Sequence, residues 1–424
     1  MDDRKIRRLD EATVDASKKI KVLSALSWPV EAEEKFLTGW RKGKAALPQI
    51  DIKPPDVGED VAHLDTITNA CDLKNPVEKF LAETTRSYAN AGRMLMNIGT
   101  PGFTRYSVKL YGRPDANYIM QDFNAVDSAR FFLDITERLL GHSLIEDTEN
   151  TIAAEDIAAW LRGKTDRFFI NDKVEVMVDP ELSAKAIAGA TRIRVRGGAY
   201  FSSLDKDQLW FHEAMVHTVT QLNGRKQPNL QSLGLGAPRT TRTQEGIAVL
   251  AELVTNSIDL TRLQRIALRV IAVQMALDGA DFIDLFKYFL EAGQSETESV
   301  KSAQRIFRGG AVKGGVVFTK DAVYLQGLLE VHSFLRVAIR DNHPQMVRNL
   351  FAGRLTLGDA VRMNELFESG WLKAPAYIPA WASDLRRLAA MMAFSGFVSN
   401  IKLDRINFDR ALALEEDITA TAGK

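Results

Sequence analysis

One predicted helix, residues 204–222, constrains this chain more than any other part of the sequence. From position 209 onward its apolar residues are distributed around all sides, which is typical of a buried helix. His212, Glu213 and His217 nevertheless lie among them. Burying an unpaired charge is very costly, so these groups must be paired with other polar groups or bound to a metal.

The spacing His212-Glu213-x-x-x-His217, an HExxxH pattern, is one residue longer than the H-E-x-x-H zinc helix. In a regular α-helix five residues turn through about 500°, which leaves the two imidazoles roughly 140° apart. A single π-helical turn would absorb the extra residue and let both rings reach one metal ion. The alternative is that one histidine is a hydrogen-bonded core residue and the other is incidental.

The next apolar helix, predicted over residues 243–257, offers a third ligand. Glu245 and Glu252 are its only charged residues after Arg242. Two histidines and Glu245 would form the three-ligand site of a catalytic zinc ion, Zn²⁺, with one position open to water. Glu252 is a candidate to orient a ligand imidazole, and equally a candidate for a buried salt bridge to an arginine.

Glu213 follows the first histidine directly and is predicted to act as the general base. It would take a proton from zinc-bound water during attack on a carbonyl and pass it to the leaving amine. The sequence thus predicts a zinc-dependent metallopeptidase. Two alternatives stay open: a regulatory or binding protein with a structural or vestigial metal site, and a metal-dependent amidohydrolase acting on small amides.

Three segments carry a family resemblance: HEAMVH followed by NG, TQEGIAVLAE, and FRGGAVKGGVVFTKDAVYLQGL. They resemble the bacterial flavohemoglobin expression-modulating QEGLA motif proteins. That family is similar to the microtubule-associated tyrosine carboxypeptidases, zinc peptidases that remove the C-terminal tyrosine of α-tubulin. The HExxxH spacing also resembles dipeptidyl peptidase III. The resemblance implies zinc binding by His212, His217 and Glu245 and a catalytic Glu213. It also implies a carboxypeptidase, which hydrolyses a peptide bond near a C-terminus, but it does not imply tubulin as the substrate.

A carboxypeptidase needs a fixed cation for the terminal carboxylate of its substrate, a peptide or protein C-terminal tail. Arg194 and Arg196 are candidates on a strand that we expect to pair with the extended substrate, unless that face is simply solvated. Arg308 and Lys320 flank a glycine-rich loop, GGAVKGG, which either approaches a ligand or is an ordinary turn. Tyr324 is a candidate donor to the oxyanion, or a core tyrosine. Two histidines are weaker candidates for that hydrogen bond: His332 and His343.

The predicted fold class is α+β and helix-dominated, with a zincin-like metallopeptidase core and a small sheet beside the zinc helix. Alternating residues predict strands over 103–112, 173–179 and 192–201. A proline-rich connector, LPQIDIKPPDVGED, predicts a boundary between an N-terminal helical extension (1–56) and a catalytic domain (57–424).

Composition excludes several other classes of protein. The 424 residues include 55 Lys and Arg against 55 Asp and Glu, so no net charge favours nucleic acid or an anionic membrane. The single cysteine, Cys71, excludes an internal disulfide and a cysteine-based metal site. The charged N-terminus lacks a signal-peptide core, and no apolar run is long enough for a membrane span. We expect a soluble cytoplasmic protein.

Overall fold

The structure, a computed structural model, describes residues 2–29, 31–118, 121–140, 150–182 and 184–401. Helices dominate it. Those that precede the sheet are α1 Asp3–Ser17, α2 Val22–Ala25, α3 Glu31–Arg41, α4 Gly58–Ala70, α5 Pro76–Met96, α6 Pro101–Tyr111, α7 Ala125–Leu140 and α8 Ala154–Phe168. Those that follow it are α9 Ser203–Leu209, a π-helix Trp210–Thr218, α10 Val219–Arg225, α11 Thr241–Val254, α12 Leu260–Leu277, α13 Phe282–Glu291, α14 Glu296–Phe307, α15 Val323–Arg340, α16 Gln345–Asn349, α17 Leu357–Arg362, α18 Asn364–Glu368, α19 Ala380–Ser383 and α20 Leu385–Val398. Short 3₁₀ turns cover Gln231–Gly234, Pro238–Thr240 and Thr319–Ala322.

Within the described residues, the strands form two small sheets. They are β1 Ile152–Ala153, β2 Glu175–Asp179, β3 Ala186–Ala188, β4 Arg192–Arg196 and β5 Tyr200–Phe201. The larger sheet has the order β2-β4-β3, in which β4 is parallel to β2 and antiparallel to β3. A two-stranded antiparallel ribbon joins β1 to β5. The strands predicted over 173–179 and 192–201 are therefore present, and the helix-dominated α+β class is confirmed.

The strand predicted over 103–112 is wrong, because this segment belongs to α6. Pro101 occupies the first turn of that helix, where its missing N–H costs nothing. The buried residues Phe103, Ser107 and Tyr111 are spaced four apart and therefore share one helical face. Gly112 ends the helix with a φ of 87°. Short alternating runs match both periods, and here the packed face decides for the helix.

Two hydrophobic cores hold the elements together. The larger surrounds the π-helix and includes Ile6 and Leu9 of α1. The smaller joins Trp28 and Phe36 to helices α12 to α14. Residues 47–57 of the proline-rich connector separate α3 from α4 without helix or strand, and its last three residues begin α4. The residues before the connector contribute to both cores. The domain boundary at residue 56 stays a prediction.

Every helix of the described residues falls short of the length and apolar character that crossing a membrane requires.

Candidate active site

A π-helix brings the two histidines onto one side of their helix. The helix begins at a capping box in which Ser202 and Asp205 each accept the other's backbone N–H, both at 3.0 Å. Nine residues, Trp210–Thr218, then follow π-helical geometry. As a result, the rings of His212 and His217 lie 4.8 Å apart between centroids. The five-residue spacing is thus accommodated by the widened turn that it requires.

Helix α11 brings Glu245 to the same place. Its Oε2 atom lies 3.6 Å from Nε2 of His212 and 3.5 Å from Nε2 of His217. One ligand atom from each of the three residues lies within 4.8 Å of the other two. A hydrogen bond of 2.8 Å from Thr220 to the neighbouring Gln244 ties α11 to the histidine helix.

This donor set fits a zinc ion. Two ligands about 2.05 Å from a tetrahedral ion are about 3.3 Å apart, close to the distances of 3.5 and 3.6 Å seen here. A neutral imidazole nitrogen without a proton and a carboxylate oxygen are both acceptors, so they converge favourably only around a cation or a proton. The group also matches the two-nitrogen, one-oxygen set of catalytic zinc sites.

Glu252 holds His212 in the tautomer that a metal needs. His212 Nδ1 lies 2.6 Å from Oε1 of Glu252, so donation from Nδ1 directs the Nε2 lone pair toward Glu245. Arg262 donates two bonds of 3.0 Å to the same carboxylate. Glu252 therefore contacts both a candidate ligand imidazole and an arginine, the two partners that the sequence offered as alternatives.

The surroundings of Glu252 and His212 favour the charged form of each side chain. Burial would raise the pKa of Glu252, but the charge of Arg262 and the hydrogen bond of His212 outweigh it and lower the pKa to about 2. Burial would lower the pKa of His212, yet its bonds to Glu245 and Glu252 raise the pKa to about 10. A metal ion at this site therefore competes with a tightly held proton.

Close packing between α11 and α15 explains the glycine at position 246, in the QEG segment. A Cβ atom on Gly246 would lie 2.3 Å from the backbone of Gly327 on α15. The two helices approach this closely only because both positions lack a side chain. Within the segment, Gln244 accepts a hydrogen bond from Thr220, and Glu245 lies beside the two histidines. Gly246 allows the close approach of α15.

His212, His217 and Glu245 together form the candidate metal centre. A cavity of about 650 Å³ lies beside this centre and is lined by these three residues and Glu213. Glu213 is half-buried at its wall, next to His212 in the chain but outside the cluster of three converging ligand atoms. Tyr324 of α15 also lines the cavity and is 9% exposed. The cavity thus presents a carboxylate and a phenol next to the centre.

The predicted cations Lys320 and Arg308 both line this cavity. Lys320 Nζ lies 3.2 Å from Oε1 of Glu245, so it balances the charge of that carboxylate. Burial and the neighbouring charge of Arg305 lower the pKa of Arg308 to about 10. Of the glycines between them, Gly309, Gly310 and Gly314 pack closely against protein: a Cβ on Gly314 would lie 2.4 Å from the carbonyl oxygen of Gly279.

The strand of Arg194 and Arg196 cannot pair with a substrate, which corrects our expectation. β4 is the central strand and already has β2 and β3 as neighbours. Arg194 reaches the cavity but is bonded to Asp179 at 3.0 Å. Arg196 borders a second cavity of about 210 Å³, which His212 and Glu213 also line. The edge strand beside the main cavity is β3.

Two features of the cavity had no signal in the sequence. The β3 edge lies in an alanine-rich segment whose pairing depends on tertiary context. Arg354 lines the cavity although it is more than 100 residues from Glu245 along the chain. Of the weaker histidine candidates, His332 lies near Ser395 and His343 is exposed; neither borders the cavity formed by the described residues.

Comparison with known proteins supplies a family. No curated protein matches the chain significantly. The family model of the microtubule-associated tyrosine carboxypeptidases matches residues 34–400. This range contains every side chain that forms the histidine and glutamate cluster, and it covers most of the 424 residues. The chain therefore belongs to the microtubule-associated tyrosine carboxypeptidase family.

Proposed function

We propose that this protein is a zinc-dependent carboxypeptidase that removes residues from the C-terminal tail of a peptide or protein. The observation that carries the proposal is the convergence of His212, His217 and Glu245 beside Glu213 in an open cavity. Family membership supports the carboxypeptidase class. A purely structural metal site would have no use for the carboxylate of Glu213.

Each side chain has a role in the proposed hydrolysis. A zinc ion held by the three ligands would polarise the scissile carbonyl and lower the pKa of a water molecule toward ~7. Glu213 accepts the proton of the attacking water on its carboxylate and delivers it to the leaving amine. The Tyr324 hydroxyl donates to the oxygen that becomes negative as the carbon turns tetrahedral.

The edge strand β3 offers backbone groups to an extended substrate. Lys185 and Gly189 bond to β4 through their backbone groups at 3.0 and 2.7 Å. Because bonding direction alternates along an antiparallel strand, Ala186 and Ala188 direct their N–H and C=O groups away from β4. Both residues line the cavity, and their small side chains leave room for a peptide backbone.

Digestion of an unbiased peptide library tests the proposal. We expect the zinc-loaded protein, with about one zinc ion per chain, to release C-terminal residues. Glu213→Gln should lower the rate roughly 10²–10⁴-fold without changing zinc content, because it removes the proton acceptor and leaves the ligands in place. Glu291→Gln, an exposed glutamate on α13, is the matched control.

Three results would count against the proposal. Undiminished activity of Glu213→Gln would exclude the proposed base. Internal cleavage would replace the carboxypeptidase assignment with an endopeptidase one. Zinc-loaded protein that cleaves no peptide, or cleaves only small amides, would return the function to a binding protein or an amidohydrolase.

A further inference from the structure

The cations around the cavity differ in whether protein carboxylates already neutralise them. Arg305 bonds to both oxygens of Asp321 at 2.6 and 2.7 Å. Lys320 is paired with Glu245, and Arg194 is paired with Asp179. The Arg354 guanidinium, by contrast, makes no hydrogen bond or ion pair with any described residue, and its Nε is buried.

Arg354 is held rigidly at the cavity wall. It lies between α16 and α17, and its backbone N–H donates to the Leu233 carbonyl at 2.7 Å. Its Nη1 passes close to Gly236, where a Cβ would lie 3.1 Å away. The charges of Glu245 and Glu213 both act on the guanidinium, which places it within electrostatic reach of the candidate metal ligands and base.

A buried guanidinium without a partner is costly, and an anion in the adjacent cavity would relieve that cost. Its planar fork matches a carboxylate, which it binds through two parallel hydrogen bonds. In hydrolysis next to a C-terminus, the substrate's own terminal carboxylate lies one residue from the scissile carbonyl. The partner that Arg354 lacks within the protein is therefore one that such a substrate brings.

We propose that Arg354 binds the free α-carboxylate of the substrate's last residue, and so restricts cleavage to the end of a chain. This role rests on the proposed carboxypeptidase function. It assigns the substrate-binding cation to a residue that lies in a loop, outside the strand of Arg194 and Arg196 and outside the glycine-rich segment.

A pair of peptides with one sequence, ending in a carboxylate or in a carboxamide, tests this role in the full-length zinc-loaded protein. Wild type should prefer the acid by about 100-fold in kcat/KM, because the amide leaves the guanidinium without its anion. Arg354→Met should lower kcat/KM for the acid roughly 10- to 100-fold, mainly through KM, and change the amide little. The preference therefore collapses toward unity.

Two further variants keep the test interpretable. Arg348→Met removes an equal charge from an exposed position on α16 and should retain the wild-type preference. Gly236→Ala keeps the charge but crowds Nη1 of Arg354, so it should reduce the preference even if Arg354→Met is poorly folded.

The outcomes separate the two proposals. If wild type cleaves the acid but Arg354→Met and Gly236→Ala keep the wild-type preference, the Arg354 assignment is overturned and the carboxypeptidase function stands. If wild type cleaves neither peptide, the proposed function falls and this role falls with it.

Discussion

At the residue scale, Glu252 shows how a buried charge can be retained in an apolar helix. The side chain is fully buried, yet each oxygen has a partner in His212 or Arg262. The histidine bond fixes a ring tautomer, and the arginine keeps the carboxylate ionised. Glu252 is therefore a positioning residue that acts on the centre through His212.

We predict that Glu252→Gln weakens zinc binding by about 10- to 100-fold, because a neutral amide oxygen accepts the His212 Nδ1 proton more weakly than a carboxylate does. Competition with a chromophoric chelator measures this affinity. Glu78→Gln removes another buried, ion-paired carboxylate, which does not line the cavity, and controls for a general loss of stability. Equal zinc affinity of Glu252→Gln and wild type would show that His212 needs no charged partner.

At the scale of secondary-structure elements, the position of Glu245 depends on how closely α11 approaches α15. We predict that Gly246→Ala destabilises the protein by roughly 1–3 kcal/mol and lowers zinc occupancy, since its methyl group would overlap the backbone of Gly327. Denaturant unfolding and metal analysis of the purified variant measure the two effects.

Gly163→Ala on α8 is the matched control for that substitution. Its added Cβ would meet only the end of Arg167 at 3.8 Å, an ordinary contact. Removing glycine from an unobstructed helical position should stabilise the protein by about 0.5–1 kcal/mol. A similar gain at Gly246 would mean that the helices can separate without cost to the site.

The capping box of α9 gives a prediction about pH. Burial would raise the pKa of Asp205, but the charge and hydrogen bonds of Lys185 together with the Ser202 N–H lower it. A lowered folded pKa contributes stability above the unfolded value of about 3.9 and loses it as pH falls through the folded value.

We therefore predict that Asp205→Asn costs roughly 1 kcal/mol of unfolding free energy at pH 7. The difference from wild type should shrink as the pH falls from the unfolded value of about 3.9 through the lower folded value, because aspartate is protonated in both states only below both values. Urea unfolding of both proteins between pH 7 and 3 measures it. A difference independent of pH would mean that Asp205 acts only as a neutral hydrogen-bond acceptor.

Sequence patterns indicated which three side chains converge better than they indicated what surrounds them. His212, His217 and Glu245 stand out because ionisable residues are rare in apolar helices, and the extra residue between the histidines called for the π-helical turn that is present. Local pattern failed for α6, where alternation and helical spacing coincide. It could not reveal Arg354, because only tertiary folding places that loop beside the cavity.

At the scale of the whole molecule, the site joins parts of the chain that are far apart. The residues that line the cavity begin near the segment between α1 and α2, and the last of them in the sequence is Arg354. The buried carboxylate of Asp10 on α1 accepts from the backbone of Gln231 and Ser232, which lie between the two ligand-bearing helices. Residues before position 34, outside the family match, therefore help to form the cavity.

Because the three candidate ligands come from two helices in one core, zinc binding should stabilise the folded state as a whole. A ligand that binds only the folded state contributes about 2.7 kcal/mol at a free concentration 100 times its Kd. We predict that a chelator lowers Tm by roughly a few degrees, and that added zinc restores it. Differential scanning calorimetry measures both shifts.

His217→Ala makes that prediction specific to the site. This substitution removes one ligand but leaves the bond from His212 to Glu252 in place, so the zinc-free variant should unfold near the Tm of zinc-free wild type. Added zinc should then raise its Tm much less, because two remaining ligands bind the ion weakly. A zinc-dependent rise equal to that of wild type would place the stabilising ion elsewhere. The three residues would then not be the metal site. The two imidazoles would instead pack around a proton held between carboxylates.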